Sequence, residues 1–126
     1  MRSFLVAMGM LLVIIATILT SYFTLRALSH KNAENLRDVY NLVLQQDWHA
    51  AGEKLDTHLS DYENHRWVYM VLIDHMEVDQ VELSMISAQK SIETANQHDA
   101  LDALARGIFL FEHIEERNRF SYENVL

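Results

Sequence analysis

The sequence predicts an all-α protein: an N-terminal transmembrane helix followed by a small antiparallel helical bundle or helical-hairpin array. Three observations carry this. Residues 3–25 contain no charged side chain. The chain has no proline and only three glycines, Gly9, Gly52 and Gly107, too few turn-formers for a sheet protein with many tight hairpins. Elsewhere apolar residues recur at steps of three and four, the spacing of one helix face.

The first element is the apolar run SFLVAMGMLLVIIATILTSYFTL. As a helix it rises roughly 34 Å, against about 30 Å of bilayer hydrocarbon. A helix also satisfies its own backbone hydrogen bonds, the condition for crossing lipid. Residues 1–27 therefore read as an uncleaved, single-pass membrane anchor, with the lipid bilayer contacted through residues 3–25. The competing reading is a cleaved signal peptide, whose apolar region is shorter, about 7–15 residues, and ends at a small-x-small site. Here the only loose match, Ala27-Leu28-Ser29, lies beyond Arg26. The absence of cysteine excludes a lipoprotein anchor, disulfides and thiolate metal sites.

Orientation is balanced between two signals. Arg2 precedes the run and Arg26, Lys31 and Arg37 follow it, so the positive-inside rule gives no support to an outside C-terminus. A very short head before a long apolar run is nevertheless the usual form of a signal anchor with its N-terminus inside. An extracytoplasmic domain on a cell membrane is the expectation. Residues 32–126 hold 7 Lys+Arg against 18 Asp+Glu, a formal −11. Such a surface is repelled by nucleic acid and by anionic lipid, so no nucleic-acid partner is expected.

Residues 28–126 form one acidic all-helical domain, long enough for a single core. Leu36, Val39, Tyr40 and Val43 line a helix of about 30–46, either separate from the anchor or continuous with it. Trp48, Leu55, Tyr62, Tyr69 and Met76 fall seven apart, with Ala51, His58, His65 and Leu72 in the alternate seam. That heptad stripe predicts a long helix over about 48–76, capped by Asp47. Its stretch 67–73 (WVYMVLI) is apolar nearly all round and is expected to be the most buried part. Val78, Val81, Met85, Ala88 and Ile92 predict a helix over about 78–94. Leu101, Leu104, Ile108 and Phe111 predict another over about 99–116, with Asp99 as its cap. The short joints predict antiparallel neighbours. Ala51, Gly52 and Gly107 are small residues on helix faces where another backbone can come close. Phe120, Tyr122, Val125 and Leu126 are expected to dock back on the bundle.

The layout resembles an uncharacterised group of short bacterial proteins known as domain of unknown function 4363. The features that carry the resemblance are the apolar span, Asp47-Trp48-x-x-Ala51, Leu72-Ile73-Asp74-His75-x-Glu77-Val78-Asp79, Asp99-Ala100-Leu101, Phe111-Glu112-His113-Ile114-x-Glu116 and the ending Ser121-Tyr122-Glu123-Asn124-Val125-Leu126. The resemblance implies a small, singly anchored helical protein of a Gram-positive-type cell and no assigned activity. The chain departs from the group in having only Lys31, Lys54 and Lys90 as lysines, which bears on surface charge and not on fold.

Candidate chemistry is confined to one polar stretch. On a helix, His75 and Asp79 share a face with Glu82, and His113 and Glu116 could add a second pair, a carboxylate–imidazole set suited to zinc, manganese or ferrous iron. The structural alternative is that these acids cap and charge a new helix while His75 ends the old one. The structural role is the expectation, so no metal or other cofactor is assigned. The seven histidines are scattered, and a pH-responsive role for them is a weaker reading. There is no Gly-rich phosphate loop, Gly-x-Ser-x-Gly elbow, His-Glu-x-x-His or Cys-x-x-Cys, and no enzyme is expected. Two functions follow: a non-catalytic accessory protein that meets a membrane-protein partner or itself, or a ligand-, metal- or pH-responsive helical sensor.

Overall fold

A computed structural model of the chain describes residues 1–123, with side chains through Arg117. Four helices, α1 (Arg2–Leu44), α2 (Trp48–Leu72), α3 (His75–Glu93) and α4 (Gln97–Glu123), run in alternating directions. Each packs on two neighbours, α1 and α3 both touching α2 and α4. This is the antiparallel bundle expected from short joints. The apolar N-terminal run and the helix expected over 30–46 are one unbroken helix of 43 residues.

Along α1 the environment changes sharply. Its N-terminal part is long and apolar enough to cross a membrane, and none of that window is buried in the protein. From Leu25 onward Ser29, Asn32, Leu36, Val39 and Val43 step by four and three and are buried. The other helices supply matching seams: Ala51, Leu55, His58, Tyr62 and Tyr69 from α2, Val78, Val81, Met85, Ala88 and Ile92 from α3, and Ala100, Leu104, Phe111 and Ile114 from α4. Phe111 lies at the centre, its ring 6.0 Å from Tyr69 and 6.2 Å from Tyr62, within the range of favourable edge-to-face contact.

The joints explain the element boundaries. Asp47 caps α2 as expected, accepting from the Ala50 N–H at 3.2 Å. α2 stops at Leu72, not at residue 76, because Ile73 turns extended and the Asp74 side chain takes the Met76 N–H at 2.8 Å. That local hydrogen bond competes with continued helix and starts α3 early. His75 is consequently the first residue of α3 and not the end of α2. α4 begins at Gln97, and its cap is Asn96, whose Oδ1 accepts from the Asp99 N–H while its Nδ2 donates to Asp99 Oδ2. Asp99 thus assists the cap from inside the first turn, where its charge also suits the helix dipole.

Two expectations about burial change. The stretch 67–73 is split: Val68, Tyr69 and Ile73 are buried, whereas Trp67 and Val71 are 67% and 73% exposed. Gly107 does mark a close approach, since a methyl there would meet Leu36 Cδ1 at 3.0 Å, but Gly52 has room for one, its nearest neighbour being Ile92 Cγ2 at 3.8 Å. The docking expected of Phe120, Tyr122, Val125 and Leu126 falls on side chains outside the described residues.

Candidate functional site

α3 opens with the polar stretch singled out by the sequence, and tertiary neighbours claim two of its carboxylates, Glu77 and Glu82. Glu82 receives both Arg66, through its Nε, and the Tyr62 hydroxyl, at 3.3 Å, from α2. Glu77 takes a two-pronged contact from Arg117 of α4, at 2.6 and 2.9 Å, the geometry that suits guanidinium and carboxylate best. His75 and Asp79 are exposed. His113 is exposed too and stacks on Phe109, ring centroids 6.0 Å apart. Glu116 borders a groove between α1 and α4. Among the described residues no three His, Asp or Glu side chains come together in a way that could hold a metal ion. The candidate set of His75, Asp79 and Glu82 with His113 and Glu116, which the sequence ranks below a structural role, is not brought together among the described residues: Glu82 meets Arg66 and Tyr62 of α2, and His113 is exposed.

The groove between α1 and α4, of about 320 Å³, is bordered by Arg26, His30, Arg37, Glu112 and Glu115. Its charges are matched in place. Arg26 and His30 approach Glu115 at 3.8 and 3.5 Å, and Arg37 joins Glu34 of its own helix to Glu112 of α4. Such exposed pairs each contribute little to stability. They set which faces of α1 and α4 meet.

Two buried polar features lie where the heptad seams placed ordinary core. At the α1–α2 interface Asn32 Nδ2 donates to the Tyr69 hydroxyl at 2.7 Å, with Ser29 Oγ 3.3 Å from the same oxygen. Burial raises the Tyr69 pKa, so the phenol stays neutral. The signal for this cluster was present in α1, where Ser29 and Asn32 occupy seam positions between Leu25 and Leu36. The second feature is His58, 2% exposed, with both ring nitrogens buried and without a hydrogen-bond partner. Its ring meets Phe111 edge-on at 6.4 Å. Burial pushes its pKa down from 6.5 to about 4, opposed by the Asp61 charge and aided by Lys31. The other six histidines are exposed.

These ion pairs and hydrogen bonds join neighbouring helices. The largest uncovered feature is the apolar part of α1, on which Phe4, Leu5, Leu12, Val13 and Ile18 are all more than half exposed. A family model described as "Domain of unknown function (DUF4363)" matches residues 19–125, most of the chain. No curated protein and no solved structure matches.

Proposed function

The chain belongs to the DUF4363 family, and from that premise we propose that it is a single-pass, membrane-anchored accessory protein without catalysis of its own. The observation that carries this reading is the continuity of α1. One helix supplies an unburied apolar rod at its N-terminal end and a full seam of the bundle core at the other. In water the rod would leave a large contiguous apolar surface uncovered, which marks membrane or protein contact. In a bilayer it is covered, and the helix passes any tilt or rotation of the span directly into the bundle. The small residue Gly107 at the α1–α4 contact and the ion pairs between helices, which leave the bundle a rigid block on the rod, support a role in presenting surfaces to a membrane-protein partner or to a second copy. The cell membrane with the bundle on its extracytoplasmic side is the corresponding placement.

The test is purification of the full-length, C-terminally tagged protein from its native membranes in mild detergent, with mass spectrometry of what accompanies it. A stoichiometric membrane partner, or a cross-linked homodimer, that is lost when residues 2–25 are replaced by an unrelated span is the expected result. Recovery of a lone monomer, or release of the protein from membranes by alkaline carbonate, overturns the reading.

A sensor reading has one observation in its favour, the unpartnered His58 in the core. Protonating it would place a charge against the Phe111 ring in the core and weaken that packing at acid pH. A metal-dependent version has no comparable support, since Arg66 and Arg117 already occupy Glu82 and Glu77.

A further inference from the structure

The lengths of the helices place the α2–α3 corner against the membrane. α2 starts beside the end of α1 and returns along it for 25 residues, roughly 37 Å. Its last turns therefore reach α1 at Thr20, Ser21 and Thr24, which border a common open groove of about 390 Å³ with Trp67, Val71 and Leu72. Those α1 residues lie inside the uncharged run, which extends to Leu25. A hydrocarbon core of about 30 Å occupies about 20 residues of helix, so a core that begins near Ser3 ends near Tyr22. That level is the level of the corner.

The side chains at the corner have the matching chemistry. Trp67, Val71 and Met76 are 67%, 73% and 70% exposed, and Leu72 is partly so. Trp67, Val71 and Leu72 flank a groove whose α1 wall carries hydroxyl side chains, a mixture of apolar and polar groups suited to the headgroup boundary, where tryptophan is enriched. Of the nearby charges, Arg66 is paired with Glu82 and Arg117 with Glu77, the exposed Asp74 at the corner accepts the Met76 N–H, and Asp79 is exposed one turn further along α3. The opposite end of the bundle differs. There the two remaining joints expose Gln45, Gln46, Asp47, Thr94 and Asn96.

We infer that the α2–α3 corner, through Trp67, Val71, Leu72 and Met76, lies in the interfacial layer of the bilayer that α1 crosses. This is a second, shallow membrane contact, and it rests on the anchored reading above. A one-point anchor leaves the bundle free to swing with the span. Two contacts on different helices set the bundle's height and tilt, and so decide which of its faces a neighbouring membrane protein meets.

The chain's two tryptophans make the test direct, because Trp48 lies at the far end of α2. Full-length Trp48→Phe and Trp67→Phe proteins are reconstituted in phosphatidylcholine vesicles containing lipids brominated either near the headgroup or near the chain end. Helicity and resistance to alkaline extraction are checked on the same samples. Trp67 emission, read in the Trp48→Phe protein, is expected to be quenched about twofold by headgroup-proximal bromine and less by deep bromine, as interfacial burial requires. Trp48 emission is expected to be quenched by neither. If Trp67 is unquenched in a protein that resists extraction, the corner stands off the bilayer and this inference fails while the anchor reading stands. Shielding of Trp67 from both bromolipid and aqueous iodide means that a second copy covers it, which also overturns the inference. A protein extracted by alkali removes the anchor reading and this inference with it. Val71→Trp in a chain lacking both native tryptophans repeats the measurement at a highly exposed position, so it does not depend on the packing of Trp48.

Discussion

His58 is the residue at which core packing and proton chemistry conflict most directly. Its folded pKa of about 4 lies below the unfolded value of 6.5, so the folded state keeps the ring neutral. Above pH 6.5 neither state binds the proton. As the pH falls from 6.5 toward 4 the unfolded chain takes up a proton that the folded chain refuses, and stability is lost over that window. Between pH 7 and pH 4.5 the loss is on the order of 2–3 kcal/mol. His58→Leu is expected to remove this component, so that urea midpoints of the detergent-solubilised variant fall less between pH 7 and 4.5 than those of the parent. Tyr69 carries the converse lesson. Tyr69→Phe deletes the acceptor of Asn32 in the buried α1–α2 interface, and the stranded amide is expected to cost about 1–3 kcal/mol in the same titration.

At the scale of elements, the two joints at one end of the bundle are built alike. α1 and α3 each end with a left-handed residue, Gln46 at φ 57° and Ala95 at φ 52°. In each the next residue's N–H reaches back across the turn, from Asp47 to Leu42 O and from Asn96 to Ser91 O. This is the helix-ending loop that normally takes glycine. Gln46 gains a side-chain contact with Gln97 across the pair of joints; Ala95 has no such contact to lose, so Ala95→Gly is expected to stabilise by about 0.5–1 kcal/mol. Gly52 presents the opposite case, a helical glycine with space beside it. Gly52→Ala is expected to add about 0.8–1 kcal/mol. Thermal melts of the two single variants and the double variant check both values and their additivity. Gly107→Ala is not expected to show the same gain, because Leu36 would have to give way.

For the whole molecule, α1 belongs to the bundle as much as to its exposed apolar end. Removing it would strip Asn32 and Ser29 from Tyr69 and uncover the part of α4 at Gly107 that Leu36 meets, a loss comparable to the entire stability of a small domain, about 5–15 kcal/mol. A fragment beginning at residue 24, which keeps Leu25 and the rest of the seam, is expected to melt cooperatively in circular dichroism. A fragment beginning at residue 46 is expected to show no cooperative transition. A cooperative melt from the shorter fragment would mean that α1 is dispensable to the core.

Much of this architecture was legible in the chain, because helical periodicity is a local property. Charge-free residues 3–25, the seams of α2, α3 and α4, and the Asp47 cap each depend only on neighbours a few positions apart. What the tertiary structure alone decided depends on pairs far apart in sequence. Arg66 and Arg117 reach Glu82 and Glu77 from other helices, contacts that the local spacing of His75, Asp79 and Glu82, which favours a helix start and also permits a metal cluster, does not reveal. The burial of His58 and the exposure of Trp67 and Val71 follow from where α2 leaves the common seam. A stretch that is apolar all round looks the same in sequence whichever side faces the core, and only the packing of α1 and α3 against it chooses.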